Sequence, residues 1–214
     1  RFLFSKKSDG YISIFAWFSI VGISLGVAAV IIVMSVMNGF RIDLTNRIIG
    51  LNSHLNIYSN SEKIYDQDIN ILISSLDKSS YKKIYKSLET NGLVIKNSDS
   101  KGVLIKGYDL YDNTHYLFNS IVSGYLIKNQ DDEVIIGDSL AKILNVTIGD
   151  KLKIAIPKTD KTILGNIPRF KTLEIVGVFD LGLYEYDSNL IFLSSNLVRK
   201  LLIYEDNNYN KIEF

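Results

Sequence analysis

The stretch GVAAVIIVMSVMNGFRIDLTNRIIG, Gly26 to Gly50, decides how the rest of this chain is read. Its first half is apolar without a break. Its second half carries Arg41, Asp43 and Arg47, yet Leu44, Ile48 and Leu51 continue an apolar line at helical spacing. Working outward toward the N-terminus, no charged side chain occurs from Gly10 to Phe40, a run of 31 residues. A bilayer span takes about 20. The pattern predicts a transmembrane helix over residues 19–40, with its centre between Ser19 and Met37. An amphipathic helical continuation is predicted over 41–52, docking on whatever follows. A buried soluble helix is rarely so long and so free of charge. The run also exceeds the apolar region of a signal peptide and has no clear small-x-small cleavage site.

Residues 1–18 read as a cytoplasmic or interfacial segment, with the aromatics of Tyr11 to Trp17 suited to the membrane interface. Arg1, Lys6 and Lys7 against Asp9 favour a cytoplasmic N-terminus, which puts everything after about residue 48 outside the cytoplasm. Ser19, Gly22, Gly26 and Ala29 are spaced three, four and three apart, a stripe of small side chains that allows close approach of another helix. Glycine is also common in membrane helices with no such partner.

The 214 residues are 47% apolar and 22% charged, with a net charge of +1. That balance excludes a disordered chain and a nucleic-acid footprint. The chain has no cysteine, hence no disulfide framework, thiolate nucleophile or cysteine metal site.

Residues 53–214 read as an α+β domain of mixed short strands and helices. Predicted strands are His54–Tyr58, the segments LVIKN and GVLIKGYD, Asp132–Gly137, the end of Val146–Pro157, Lys171–Gly182 and Asn189–Ser195. Predicted helices are an irregular one in DINILISSL, one over Ser79–Gly92 stopped by Asn91-Gly92, and a short one or two turns in Asn113–Leu126. Two more follow at Asp138–Asn145, capped by Asp138 or Ser139, and at Ser195–Tyr204. Long βα repeats of a doubly wound sheet are not seen.

Chemistry is sparse. His54 and His115 read as ordinary structural or surface histidines. No HExxH, GxSxG or GxxxxGK[ST] occurs. Asp180, Glu185 and Asp187 would hold a cation only if other ligands converged; the plainer reading is a solvated loop whose acids cap turns and whose tyrosines pack. Nothing assembles a nucleophile, a base and oxyanion donors, so no catalytic, cofactor or metal site is assigned. The polar excursion Lys158–Phe170 carries Ile163, Leu164 and Ile167. It reads equally as a partner-binding hairpin tip and as a loop folded over its own domain.

These residues together resemble the lipoprotein-releasing ABC transporter permeases of the LolC/LolE type, with a MacB-like plan. The resemblance rests on FSIVGISLGVAAVIIVMSVMNGFRIDLTNRIIGLNSHLNI, GVLIKGYD, VIIGDSLAKILNVTIGDKLKIAIP, LGNIPRFKTLEIVGVFDLGLYEYDSNLIFL and SSNLVRKLL, in that order. It implies a non-catalytic permease subunit of the inner membrane, multi-pass in the full-length protein, with further spans beyond Phe214 and a periplasmic domain incomplete at its C-terminal end.

The implied partners are a cytoplasmic ATPase dimer, a second permease subunit or second copy, a periplasmic lipoprotein carrier and a triacylated lipoprotein substrate. No cofactor is implied in this chain. The resemblance places a carrier-binding hook at Thr162, Ile163, Leu164, Gly165, Asn166, Ile167, Pro168 and Arg169. It places part of a lipoprotein cavity at Val33, Met34, Met37, Asn38 and Phe40. Efflux of another amphiphile, or a membrane-anchored structural or sensory module, are the alternative functions.

Overall fold

The computed structural model describes residues 10–58, 63–77, 81, 83–97, 99–109, 116–128, 131–157, 161–162, 165–166, 168–205 and 207–214. The chain divides into two compact units, residues 1–49 and 50–214.

Helix α1 (Gly10–Asn52) is unbroken over 43 residues. Both prolines of the chain, Pro157 and Pro168, lie far from it, so nothing interrupts its backbone ladder. At 1.5 Å per residue it is roughly 65 Å long, against a hydrocarbon layer of about 30 Å. Its segment Ile14–Thr45 contains an 18-residue window of mean hydropathy 2.7 and is long and apolar enough to cross a membrane.

The second unit is α+β. Its elements are β1 (Asn56–Tyr58), β2 (Ile64–Tyr65), α2 (Asp66–Ser75), β3 (Tyr85–Lys96), β4 (Asp99–Tyr108), α3 (Tyr116–Ser120), β5 (Ile121–Gly124) and β6 (Glu133–Gly137). Then come α4 (Asp138–Leu144), β7 (Lys151–Ile156), β8 (Lys161–Thr162), β9 (Gly165–Asn166), β10 (Arg169–Phe179), α5 (Tyr184–Asn189), β11 (Leu190–Ser194), α6 (Ser195–Leu202), β12 (Asn208–Tyr209) and β13 (Lys211–Glu213). Nine strands form one mixed sheet in the order β1-β13-β3-β4-β11-β6-β10-β5, with β7 bonded to both β10 and β3. The pairings β3–β4–β11–β6–β10–β7–β3 therefore close on themselves as a ring.

Alternation along the strands divides the core in two. Val103, Ile105, Val134, Ile136, Ile191 and Leu193 join Leu140 and Leu144 of α4 and Leu197, Val198 and Leu201 of α6 in the larger cluster. Their neighbours Ile135, Leu190 and Phe192 point the other way, into a second cluster with Tyr108, Leu117 and Phe179. Strands buried on both faces need continuous apolar runs, which VII and LIFL supply. Each such side chain contributes about 1.5–3 kcal/mol of burial.

Several local expectations need correction. Of the helix expected over Ser79–Gly92, Tyr85–Gly92 is instead the first part of β3, and Ser79, Ser80 and Lys82 lie outside the described residues. Asn91-Gly92 does not end a helix; it lies mid-strand, opposite Leu104 and Val103. A Cβ on Gly92 would come 2.5 Å from Ile105 Cδ1 and 3.0 Å from the Ala155 carbonyl, so the glycine admits β4 and β7 on either side. Long-range pairing with β13 and β4 overrode a local helical pattern. In Asn113–Leu126, the helical α3 passes directly into β5.

Neither Asp138 nor Ser139 caps α4: the N-cap is Gly137, with no side-chain cap bond. Asp138 instead pairs with Lys142 one turn on. The expected loop around Glu185 and Asp187 is the short helix α5. Helix α6 has a side-chain cap, the Ser194 hydroxyl accepting from Leu197 N at 3.1 Å.

Gly137 links β6 to α4 beneath α5. A Cβ there would sit 2.1 Å from the carbonyl oxygen of Asp187, a backbone atom that no side-chain rotation can clear. On Gly102, a Cβ would meet nothing within 4 Å. Gly137→Ala should therefore destabilise the domain by about 1–3 kcal/mol or more, and Gly102→Ala by no more than about 0.5 kcal/mol. Thermal melts of the two purified variants test this; equal melting points would refute the packing assignment.

Candidate functional site

Three places carry the candidate residues, and each is built by a different element. On α1, Val33, Met34, Met37, Asn38 and Phe40 are all exposed. So are Ser19, Gly22, Gly26 and Ala29. Because the helix is unbroken, its turn of about 100° per residue can be followed through both sets. Val33, Met37 and Phe40 continue the stripe begun by Ser19, Gly22, Gly26 and Ala29, at steps of four, four and three. Met34 and Asn38 lie on the adjoining face. One side of α1 thus changes from small to large residues along its length. A Cβ on Gly22 or Gly26 would meet nothing within 4 Å. Nothing within the described chain requires glycine there.

The excursion is borne on a ribbon. β7 and β10 pair antiparallel through six residues, from Lys151↔Glu174 to Ile156↔Arg169. Beyond them β8 and β9 pair through Lys161↔Asn166 and Thr162↔Gly165. Ile163, Leu164 and Ile167, the apolar residues of the expected hook, lie outside the described residues. Pro168 is exposed.

Arg169 is partly occupied at the root of the ribbon. Its Nη1 donates to the carbonyl oxygen of Lys200 at 3.3 Å, in the last turn of α6, where a cation is favoured by the helix dipole. Nearby, Lys171 pairs with Asp132 at 2.8 Å and Lys200 with Asp131 at 2.8 Å. These exposed pairs add little stability individually, but they tie β10 and α6 each to the turn before β6.

Two residues not singled out from sequence lie beside this root. Phe170 pairs with Ala155, and Ala155 with Leu93, so the three share one face of β10, β7 and β3. Phe170 is 49% exposed and Leu93 45%. Lys153 Nζ lies 4.3 Å from the centre of the Phe170 ring, a cation–π contact. The signal was present in the alternation: Phe170 shares a face with exposed Thr172 and Glu174, where an aromatic is out of place in a merely solvated strand.

The acidic segment has a structural task. The buried carboxylate of Asp187 accepts from Leu181 N at 2.8 Å and Leu183 N at 3.0 Å, folding the chain back before α5. Asp180 accepts from Gly182 N at 2.7 Å. Burial raises the Asp187 pKa above the ordinary aspartate value; the two backbone donors oppose this, and the adjoining Asp180 carboxyl adds to it. Among the described residues no group of three or more His, Cys, Asp or Glu side chains could hold a metal ion. His54 is exposed, with its backbone N–H bonded to the Phe214 carbonyl at 2.9 Å, and His115 lies outside the described residues.

The family profile described as MacB-like periplasmic core domain matches residues 16–212. Among relatives, the chain is 27% identical over 202 residues to the lipoprotein-releasing system transmembrane protein LolC of Neisseria meningitidis serogroup B, covering 89% of this chain and 46% of that protein. It is 25% identical over 230 residues to the lipoprotein-releasing system transmembrane protein LolE of Haemophilus influenzae, covering 100% of this chain and 52% of that protein. The chain thus spans about half the length of the curated relatives it matches. Among solved structures, the extracellular domain of the noncanonic ABC-type transporter YknZ from Gram-positive bacteria superposes with a TM-score of 0.48 at 14% identity, over 73% of this chain and 79% of that one. The periplasmic region of MacB from Actinobacillus actinomycetemcomitans gives a TM-score of 0.43 at 15% identity, over 74% of this chain and 64% of that one.

The Asp187 environment makes a signed prediction. A carboxyl whose folded pKa is raised contributes stability that is full below its unfolded value, about 3.9, and is lost as pH rises through the raised value. Asparagine at this position does not titrate. The melting-temperature difference between wild type and Asp187→Asn should therefore shift against the wild type as pH rises from about 4 toward neutrality. A difference that stays constant over that range would contradict the assignment.

Proposed function

We propose, because this chain belongs to the MacB-like periplasmic core domain family, that it is part of a permease subunit in an ATP-driven complex releasing lipoproteins from the inner membrane. The observation that carries this reading is the continuous likeness to proteins named as lipoprotein-releasing transmembrane subunits, which runs from α1 through the whole α+β unit. ATP hydrolysis would occur on a separate cytoplasmic dimer, since no nucleotide motif is found in this sequence. A second permease subunit or second copy would complete the bundle. The N-terminus would be cytoplasmic and residues after about 48 periplasmic.

The chemistry of the cargo accounts for the division of labour. Each acyl methylene leaving the bilayer costs about 0.8 kcal/mol. A triacylated lipoprotein therefore needs both an external energy source and an apolar surface to move onto. The face of α1 bearing Val33, Met37 and Phe40 supplies flexible and aromatic side chains suited to acyl chains. Met34 and Asn38 would line the neighbouring mouth. The small-residue stretch from Ser19 to Ala29 would receive a partner helix. In the periplasm, Thr162 to Arg169 would act as the hook for a lipoprotein carrier. Phe170 and Leu93 extend that surface as an exposed apolar ledge at the hook's root, while Arg169 also holds the root to α6.

Photocrosslinkers placed singly at Pro168 and at Met37 in the full-length assembled complex test the two halves of this reading. The first should trap the carrier and the second the acylated cargo. Replacing Ile167 and Pro168 should cut carrier crosslinking severalfold with complex assembly intact; undiminished crosslinking would remove the hook assignment. ATP-driven movement of a small amphiphile, with no lipoprotein release by the reconstituted complex, would favour the efflux function instead.

A further inference from the structure

The last strand, β13, carries a buried cluster of charge that none of the preceding functions uses. Ile212 points into the larger apolar core, while Lys211 and Glu213 point the other way, both at 2% exposure or less. Glu213 Oε1 accepts from Lys211 Nζ at 2.9 Å and from the Ser87 hydroxyl at 3.3 Å, and faces Lys106 Nζ at 3.8 Å. Glu213 Oε2 accepts from the Tyr108 hydroxyl at 2.8 Å and from the Ser53 hydroxyl at 3.3 Å. Lys211 Nζ also binds Glu89 Oε2 at 2.9 Å. Two ammonium groups thus meet two carboxylates, contributed by β13, β3 and β4. Ser53, between α1 and β1, joins them.

The charged forms are held in place by one another. Burial opposes ionisation of Glu213, but Lys106, Lys211 and Tyr108 outweigh it and hold the carboxyl below the ordinary glutamate range. Burial also opposes the Lys211 ammonium, and its bonds to Glu213 and Glu89 raise its pKa on balance. Lys106 is less favoured: burial, reinforced by the Lys211 charge, lowers its pKa despite Glu213.

The strands joined here are short. β13 pairs with β3 through three residues and with β1 through three, and Leu55 and Phe214 exchange main-chain bonds at the next position on the β1 side. So few ladder bonds specify register weakly, and a slip of one residue would exchange the faces. Ile212 would then enter the polar cluster, and Lys211 or Glu213 would face the apolar core without a partner. Buried ion pairs seldom add net stability, but removing one partner is severe, and their best-attested use is to fix a register. Asn210 reinforces the same alignment, accepting from Glu89 N at 2.8 Å and donating to Glu89 O at 2.7 Å.

We infer that the Glu213–Lys211–Lys106–Glu89 cluster is a register lock at the foot of the domain. It holds β13, and through it β1, against the β3–β4 hairpin. A pull arriving along the main chain at Ser53 is then borne by that hairpin instead of sliding β1 and β13 along β3. The lock stands on this geometry alone; its use during transport rests on the function proposed above.

None of these 214 residues is cysteine, so two spin labels are placed at Leu55→Cys and Asp99→Cys in the full-length chain, with any cysteine elsewhere in it replaced by serine. Leu55 adjoins β1, and Asp99 begins β4; both are exposed. The wild-type background should give one narrow distance. Adding Glu213→Gln should give a second population displaced by roughly 3–7 Å, one or two residues of strand rise. If that variant fails to fold, the joint replacement Lys106→Met, Lys211→Met, Glu213→Leu removes the buried charges together. It should melt cooperatively yet show the same second distance.

A single unshifted distance in either folded variant would overturn the lock. In the reconstituted complex, the joint replacement should lower lipoprotein released per ATP at least fivefold while leaving basal hydrolysis unchanged. Failure of the wild type to release lipoprotein would count against the transport function and not against the lock, which the distances decide.

Discussion

The carboxylate of Glu213 is the group on which the arrangement at the foot of the domain turns. Four hydrogen-bond donors and a second ammonium converge on it, from Ser53, Ser87, Lys106, Tyr108 and Lys211. No single strand could satisfy it. An unpaired carboxylate at that depth would be costly enough to shift its protonation or expel the strand. The β3–β4 hairpin, β13 and the segment at Ser53 are therefore obliged to meet in one alignment. This is how a three-residue strand acquires a definite position in a nine-stranded sheet.

A second constraint shapes the far side. β10 is long enough to serve two neighbourhoods: β7 along its first half, and β6 and β5 along its second. Register shifts at Ile175/Gly177 and Val178/Phe179 allow the change. The same strand that closes the ring through β7 therefore also carries the β8–β9 arm. The arm's root is fixed by a packed sheet and by the Arg169 bond to α6. Among the described residues, Phe170 and Leu93 stay accessible on that face of the ring.

Much was legible because it rests on local pattern. The charge-free run from Gly10 to Phe40 can hardly be anything but a long helix in an apolar setting. The strand–helix–turn–strand unit from Asp132 to Pro157 is punctuated by residues whose preferences agree with the fold. The misreadings share a cause. Ile84–Gly92 has helical spacing at Ile84 and Leu88 and a helix-stopping Asn-Gly, but pairing of Tyr85–Gly92 with β4 and β13 outweighs those weak preferences. Tyr184–Asn189 looks like an acidic loop until Asp187 is seen to accept two backbone amides from within the protein. Lys106, Lys211 and Glu213 resemble ordinary surface charges in sequence, and 105 residues separate Lys106 from Lys211, the nearer of its two partners in β13.

By itself, the sequence determined the properties that follow from composition and short-range periodicity. These are a helix long and apolar enough to cross a bilayer, an α+β unit after it, the absence of catalytic motifs, and the family. Hydrophobic spacing and turn chemistry act within about a dozen residues, so they can be read along the chain. Only the tertiary structure decided which glycines admit a neighbouring strand, which acids face inward, and which strands close the ring. Only it brought Ser53, Lys106 and Glu213 to one point. Those outcomes depend on pairings across scores of residues, where the energy of a buried charge or a close backbone contact is set by partners that local sequence does not name.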